Sequence, residues 1–145
     1  MALSDRIALL RAGGLEQVDT PREIYSRPRT AYVAKFVGQT NLLRGRVENG
    51  IARCGLIEWP SESAPGEAVF SIRPEAIRIA DADSSAVRFR AKVSRQTFGG
   101  ATDLLEVDCA GLSLMVRVPS QGEISREQIF GFLARNAVRV MEGPE

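Results

Sequence analysis

From Asn41 onward the chain is a series of short apolar–polar alternations cut by glycine turns, and that punctuation restricts it to a β-rich architecture. Val87, Phe89, Ala91 and Val93 alternate with Arg88, Arg90, Lys92 and Ser94, which describes a strand with one apolar and one charged face. Residues 43–47 and 51–54 surround Glu48-Asn49-Gly50, and Asn-Gly is the strongest short-range hairpin signal because both central residues of a type I′ turn need positive φ. Gly99-Gly100 and Ala110-Gly111 punctuate strands over 104–109 and 112–118, and Pro119 ends the latter. A strand over 69–72 is interrupted by Arg73-Pro74-Glu75 and resumes at Ile77-Arg78-Ile79. Residues 61–66 read as a loop, 81–85 as a polar joint, and the apolar run 129–133 precedes Ala137-Val138-Arg139-Val140.

An internal repeat runs through this region. Leu43-Arg44-Gly45-Arg46-Val47 matches Phe89-Arg90-Ala91-Lys92-Val93, and Ile72 with 76–79 matches Leu133 with 137–140. Copies that begin and end on strands imply two similar small β units packed together, since either alone buries too little apolar surface.

The first forty residues are patterned differently. Ile7-Ala8-Leu9-Leu10 and Leu15-Glu16-Gln17-Val18 flank Ala12-Gly13-Gly14 as a hairpin. Thr20, Pro21 and Glu23 form an N-terminal cap signal, and Pro28 stops the helix that follows. A second helix is expected over 30–37, with Tyr32, Val33, Phe36 and Val37 as its apolar face and Gly38 at its end. Both are short enough to need tertiary packing.

Composition narrows the chemistry. Nineteen Lys and Arg against eighteen Asp and Glu leave +1, so no overall field recruits nucleic acid, and basic Arg88, Arg90 and Lys92 lack stacking aromatics beside them, because inward-facing Phe89 alternates with them. No apolar run approaches membrane-spanning length. There is no histidine, which removes the commonest acid–base side chain and metal ligand. Cys54 and Cys109 read as buried thiols, a disulfide between them being the other reading. Asp103 and Glu106 point to opposite faces of a strand, while Glu106 and Asp108 share a charged outer face, so neither pair is arranged as a catalytic dyad. No Gly-x-x-x-x-Gly-Lys-Ser/Thr occurs, and neither glycine pair has Lys-Ser or Lys-Thr nearby.

Ser4-Asp5-Arg6-Ile7, Gly13-Gly14, Glu16-Gln17-Val18 and Thr20 to Tyr25, followed by Pro28, Phe36-Val37-Gly38 and Asn41-Leu42-Leu43, resemble the last part of the nucleotide-binding domain of ABC-type importer ATPase subunits. Asp19 departs from that pattern, which has Gly there. Asn41-Leu42-Leu43, Ser71-Ile72-Arg73-Pro74-Glu75 with Ile77, and Phe98-Gly99 resemble the transport-associated, OB-like regulatory domain that follows the ATPase domain in sugar, polyamine, ferric-iron and oxyanion importers.

The resemblance implies a mainly β, OB-like barrel of two similar units over 41–145, preceded over 1–40 by a short α+β remnant of the ATPase domain. It implies a severed tail of a transporter ATPase: a non-catalytic regulatory and dimer-stabilising domain, with no cofactor of its own and ATP and Mg expected only for the full-length parent. The implied partners are a second copy, exchanging its N-terminal segment, the importer's membrane subunits through the missing domain, and a small-solute or regulator ligand, but no nucleic acid. The implied location is cytoplasmic, peripheral to the inner membrane. A stand-alone oxyanion sensor is the alternative. No catalytic or metal residue is assigned. Arg73, Pro74, Glu75, Phe98 and Gly99 are the candidate structural or interface residues, with the Arg-Pro-Glu step ending a strand and its charges pairing with each other, with backbone, or across an interface.

Overall fold

A computed structural model describes residues 6–80 and 87–142; the Ser4-Asp5 part of the N-terminal motif and the polar joint at 81–85 lie outside them. The fold is mainly β, and its element order follows the punctuation of the sequence. Strands β1 (Ile7–Arg11) and β2 (Gly14–Asp19) form an antiparallel hairpin of their own. Two six-residue helices follow, α1 (Pro21–Ser26) and α2 (Ala31–Phe36), and each is started as the cap signals require: Thr20 Oγ1 accepts from the Glu23 amide at 3.1 Å and Thr30 Oγ1 from the Val33 amide at 3.2 Å. The face that α2 buries is set differently from the expectation. Val33 and Ala34 are fully buried, whereas Phe36 stacks on Tyr32 and is 63% exposed, because the β strands approach α2 from the Val33 side.

Ten further strands build two five-stranded sheets. The first contains β3 (Asn41–Glu48), β4 (Ile51–Cys54), β5 (Ile57–Pro60) and β6 (Gly66–Ile72); the second contains β8 (Val87–Phe98), β9 (Thr102–Cys109), β10 (Leu112–Pro119) and β11 (Glu127–Phe132). Each is completed by a strand from the other half of the chain. β7 (Arg78–Ile79) pairs antiparallel with β11, and β12 (Val138–Val140) pairs antiparallel with β6. The sheet orders are therefore β12-β6-β3-β4-β5 and β7-β11-β8-β9-β10, which are the same order once the two copies of the repeat are superimposed strand for strand. Ile77 to Ile79 do not resume the strand that Arg73-Pro74-Glu75 interrupts. Pro74 to Ala76 form one 3-10 turn that carries the chain across to the second sheet, and Ala134 to Asn136 form its counterpart in the second unit.

The two sheets close on one core. Trp59 of β5, a strand that no periodicity in the sequence marks, packs edge-on against Phe70 at 5.0 Å and against Phe132 of the other sheet at 5.5 Å, and Phe89 lies 5.8 Å from Phe130. Asn49 and Gly50 take φ of 53° and 78°, the type I′ geometry expected of the β3–β4 turn. Gly45 permits the tightest approach: a β-carbon there would lie 2.0 Å from the Arg53 carbonyl oxygen. Cys54 and Cys109 are both free and buried, and burial pushes the Cys54 thiol up to about 11, which makes it a core residue rather than a reactive one.

Candidate functional site

The most heavily bonded charged group in the described residues stands at the end of β6. Arg73 is 8% exposed, and Pro74 explains its placement: the proline cannot continue the ladder, so the chain leaves β6 and the Arg73 side chain projects from the corner toward α1 and α2. Its guanidinium donates through Nε and Nη2 to the Tyr25 carbonyl at 3.2 and 2.9 Å. Through Nη1 it donates to the carbonyls of Ala34, Gln39 and Gly38 at 2.9, 3.0 and 3.3 Å. These carbonyls belong to the last turns of α1 and α2 and the residues just after α2, where helices leave acceptors unpaired and carry partial negative charge. A planar group with five donors suits such a convergence better than an ammonium would.

Tyr25 completes the clamp. Its ring lies under the Arg73 guanidinium with 4.2 Å from Cζ to the centroid, and its hydroxyl donates to the Glu75 carboxylate. Burial first, then the Glu75 hydrogen bond, raise the Tyr25 phenol above its ordinary value, while burial pulls the Arg73 guanidinium below its own, opposed by the charges of Tyr25 and Glu75. Gly38 leaves room for the Tyr25 ring, since a β-carbon there would sit 3.2 Å from Cε1. Arg73 thus acts on α1 and α2 and Glu75 on α1; of the pairings the sequence left open, Arg73 takes backbone carbonyls, and Tyr25 stands between the two charges.

Gln39 and Thr40, between α2 and β3, tie that connection to both sheets. The Gln39 side-chain oxygen accepts from Arg117 of β10 at 2.7 Å, and Thr40 Oγ1 meets Ser71 Oγ of β6 at 2.6 Å. Asn41 spends its whole amide: Nδ2 donates to the carbonyls of Ile72 and Met115 at 3.2 and 2.8 Å, and Oδ1 accepts from the Met115 amide at 2.7 Å. The sequence held a signal for this, because Asn41 shares the inward parity of Leu43, Gly45 and Val47, where a polar side chain must find buried partners. A second tie runs through Met141, whose amide donates to the Arg29 carbonyl and whose carbonyl accepts from the Ala31 amide, both at 2.9 Å. Residues 6–40 are fastened to both β units by polar contacts of defined geometry.

Phe98 and Gly99 lie away from the clamp, at the tip of the β8–β9 hairpin. Phe98 is 76% exposed. The tip is held from behind by Asp103, which accepts from Ser120 Oγ at 2.5 Å, Gln96 Nε2 at 2.9 Å and the Gly99 amide at 3.3 Å. Those hydrogen bonds, Ser120 foremost, hold the Asp103 carboxyl below its usual range. The sequence pattern assigns Asp103 no role; Gln96 and Gly99 reach it within the β8–β9 hairpin, whereas Ser120 comes from beyond β10. The five candidate residues therefore divide into two places: Arg73, Pro74 and Glu75 form the clamp, and Phe98 and Gly99 form an exposed corner.

Residues 70–131 match the TOBE domain family. The chain is 43% identical over 122 residues to the spermidine/putrescine import ATP-binding protein PotA of Pseudomonas aeruginosa, covering 74% of this chain and 34% of that protein. It is 32% identical over 111 residues to the sulfate/thiosulfate import ATP-binding protein CysA of Bordetella pertussis, covering 74% of this chain and 31% of the relative. It is 39% identical over 97 residues to the sn-glycerol-3-phosphate import ATP-binding protein UgpC of Rhizobium meliloti, covering 64% and 26%. The chain spans about a third of the length of the first of these relatives. Residues 70–131 are a TOBE domain, and the chain is homologous to the C-terminal regions of ABC importer ATP-binding subunits.

Proposed function

We propose that this chain is the regulatory and dimer-stabilising C-terminal part of an ABC importer ATP-binding subunit and does not hydrolyse ATP by itself. On this reading residues 1–40 are the end of the nucleotide-binding domain and residues 41–145 the regulatory domain. The observation that carries it is the Arg73 clamp, which ties the carbonyl ends of α1 and α2 to the corner between the sheets. A rigid joint of this kind moves the β units with whatever the helices are attached to, so a contact that persists between two copies of the β units keeps the attached domains at high effective concentration. Greater identity to a spermidine/putrescine importer protein than to a sulfate/thiosulfate one favours polyamine as the class of cargo. ATP and Mg belong to the full-length parent. Its other partners are the importer's membrane subunits, which place it at the cytoplasmic side of the inner membrane.

Leu10 and Leu15, each more than 60% exposed in the single chain, provide the apolar surface that a second copy covers. Sedimentation velocity on the full chain tests this directly. A dimer that dissociates when Leu10 and Leu15 are both changed to Ser is the expected result, and a strictly monomeric protein at high concentration removes the dimer-stabilising role. Phosphate release from Mg-ATP at the rate of the buffer blank is expected alongside. Titration calorimetry with sulfate, molybdate and phosphate distinguishes the stand-alone sensor, which alone predicts tight one-to-one binding by this chain.

A further inference from the structure

The surface where α2 meets the first sheet carries a trough that neither the clamp nor the hairpin corner uses. Two cavities, of about 630 and 370 Å³, share Arg44 and Glu142 as a common wall. Buried Val69 and Val140 lie at the bottom of the larger one, and Arg44, Arg46 and Arg139 stand around it. The smaller continues it past Arg11 and Lys35 to the stacked rings of Tyr32 and Phe36. Among the described residues five cations and two carboxylates line the pair, in a chain whose formal net charge is only +1.

The partners that these cations have within the chain differ, and Arg11 lies over the Tyr32 ring, 4.7 Å from its centroid. Arg139 is held in place by the carbonyls of Ala64 and Glu67, so its charge is fixed at the wall. Arg44 and Arg46 pair with Glu142 and Glu48 while remaining more than half exposed. Exposed pairs of that type are weak and exchange for a better-placed carboxylate. The trough is open to solvent along its length, which does not suit a small molecule, since small-ligand sites enclose most of their ligand. An extended chain fits it. Exposed Phe36 and Met141, at 63% and 69%, add the aromatic and methionine surface on which protein interfaces anchor.

We propose that this trough docks an acidic, extended peptide segment of a partner protein, with carboxylates on Arg44, Arg46 and Lys35 and one apolar side chain against Phe36 and Met141. Such a segment touches α2 and strands β3, β6 and β12 together, so its binding adds to the stiffness of the joint. The proposal rests on the trough and not on the importer reading, and the experiment separates the two because it measures neither dimerisation nor ATP.

Fluorescence anisotropy of the full chain with a labelled poly-glutamate peptide carrying one phenylalanine is the test, with a glutamine version of the same peptide as control. Saturable binding of the glutamate peptide is expected, weakening about tenfold between low and physiological salt as screening predicts. R44E/R46E and, separately, Lys35→Glu on the exposed side of α2 weaken it at least about fivefold, with unchanged thermal unfolding, whereas R88E/R90E on the outer face of the second sheet leaves it unchanged. Equal binding of the glutamine peptide, equal loss from R88E/R90E, or no loss in Lys35→Glu overturns the proposal. So does competition by phosphatidylglycerol vesicles with no effect of the phenylalanine, which assigns the trough to a membrane surface instead.

Discussion

Arg73 brings five N–H donors to a place where four carbonyls converge, and replacing it leaves the buried Ala34 carbonyl and three part-buried ones without that donor. Arg73→Ala is expected to lower stability by about 3 kcal/mol in urea denaturation, the combined cost of lost charged hydrogen bonds and buried acceptors without donors. Arg73→Lys recovers less than half, because a single ammonium cannot span Tyr25 and Ala34 together. A recovery close to wild type in the lysine variant would mean that charge alone, and not the planar fork, holds the helices. Asp103 makes a prediction of opposite character, in pH rather than in contacts. Its carboxyl is depressed in the fold, so its contribution is present above the unfolded value of about 3.9 and is lost as pH falls through the folded value. Asp103→Asn should therefore reduce stability at neutral pH and flatten the acid limb of a stability-versus-pH curve. An unchanged acid limb counts against the hydrogen bonds from Ser120 and Gln96 as its cause.

At the scale of elements, the short helices and the strands depend on different things. Six-residue helices have no standing of their own, and α1 and α2 persist because each is capped at its start by a threonine and at its end by Arg73. Strand β3 has to come close to β4 to close the first sheet, and Gly45 is what lets it. Gly45→Ala places a β-carbon 2.0 Å from the Arg53 carbonyl oxygen and 2.7 Å from Cys54 Sγ. A loss of about 3 kcal/mol, from displaced backbone rather than from a strained φ, is expected in chemical denaturation. Gly50→Ala acts instead through its φ of 78° in an open turn and should cost about 1 kcal/mol. If the two variants lose the same stability, the close approach at Gly45 is not what constrains the strand.

At the scale of the whole molecule, the reciprocal placement of β7 and β12 makes each unit depend on the other for its last strand. Val138→Pro removes a ladder donor from β12 and should accelerate amide exchange in β6 and β3, far away in sequence, before it affects β8 and β9. Arg78→Pro, which removes the donor that β7 turns toward β11, should act in the mirror sense on β11. Mass-resolved hydrogen exchange checks both, and acceleration confined to the mutated unit's own strands would contradict the pairing. The same exchange pattern explains why one continuous core forms from two halves, each too small to bury enough apolar surface alone.

Much of this was legible along the chain because it is local. Asn49-Gly50 places a hairpin through its φ preferences, Thr20 and Thr30 begin helices through their hydroxyls, and Val87 to Val93 show their two faces by alternation alone. The repeat was visible for the same reason, since a similar pattern of residues forms a similar pattern of strands. Strand β5 escaped notice because Ile57-Glu58-Trp59-Pro60 is too short to show a period and ends on a proline, and only packing against Phe132 reveals Trp59 as core. The exchange of β7 and β12 left no local trace, because Arg78-Ile79 would pair equally well with either sheet edge until the corner at Pro74 chooses one. The amino-acid sequence by itself determined where the chain turns, which side of each strand is apolar, and that it holds two like units, all through interactions within a few residues. Only the tertiary structure decided that Arg73 reaches Tyr25 and Ala34 instead of Glu75, that Asn41 joins β3 to β10, and which sheet takes each final strand, because those outcomes turn on which distant groups the fold brings within hydrogen-bonding distance.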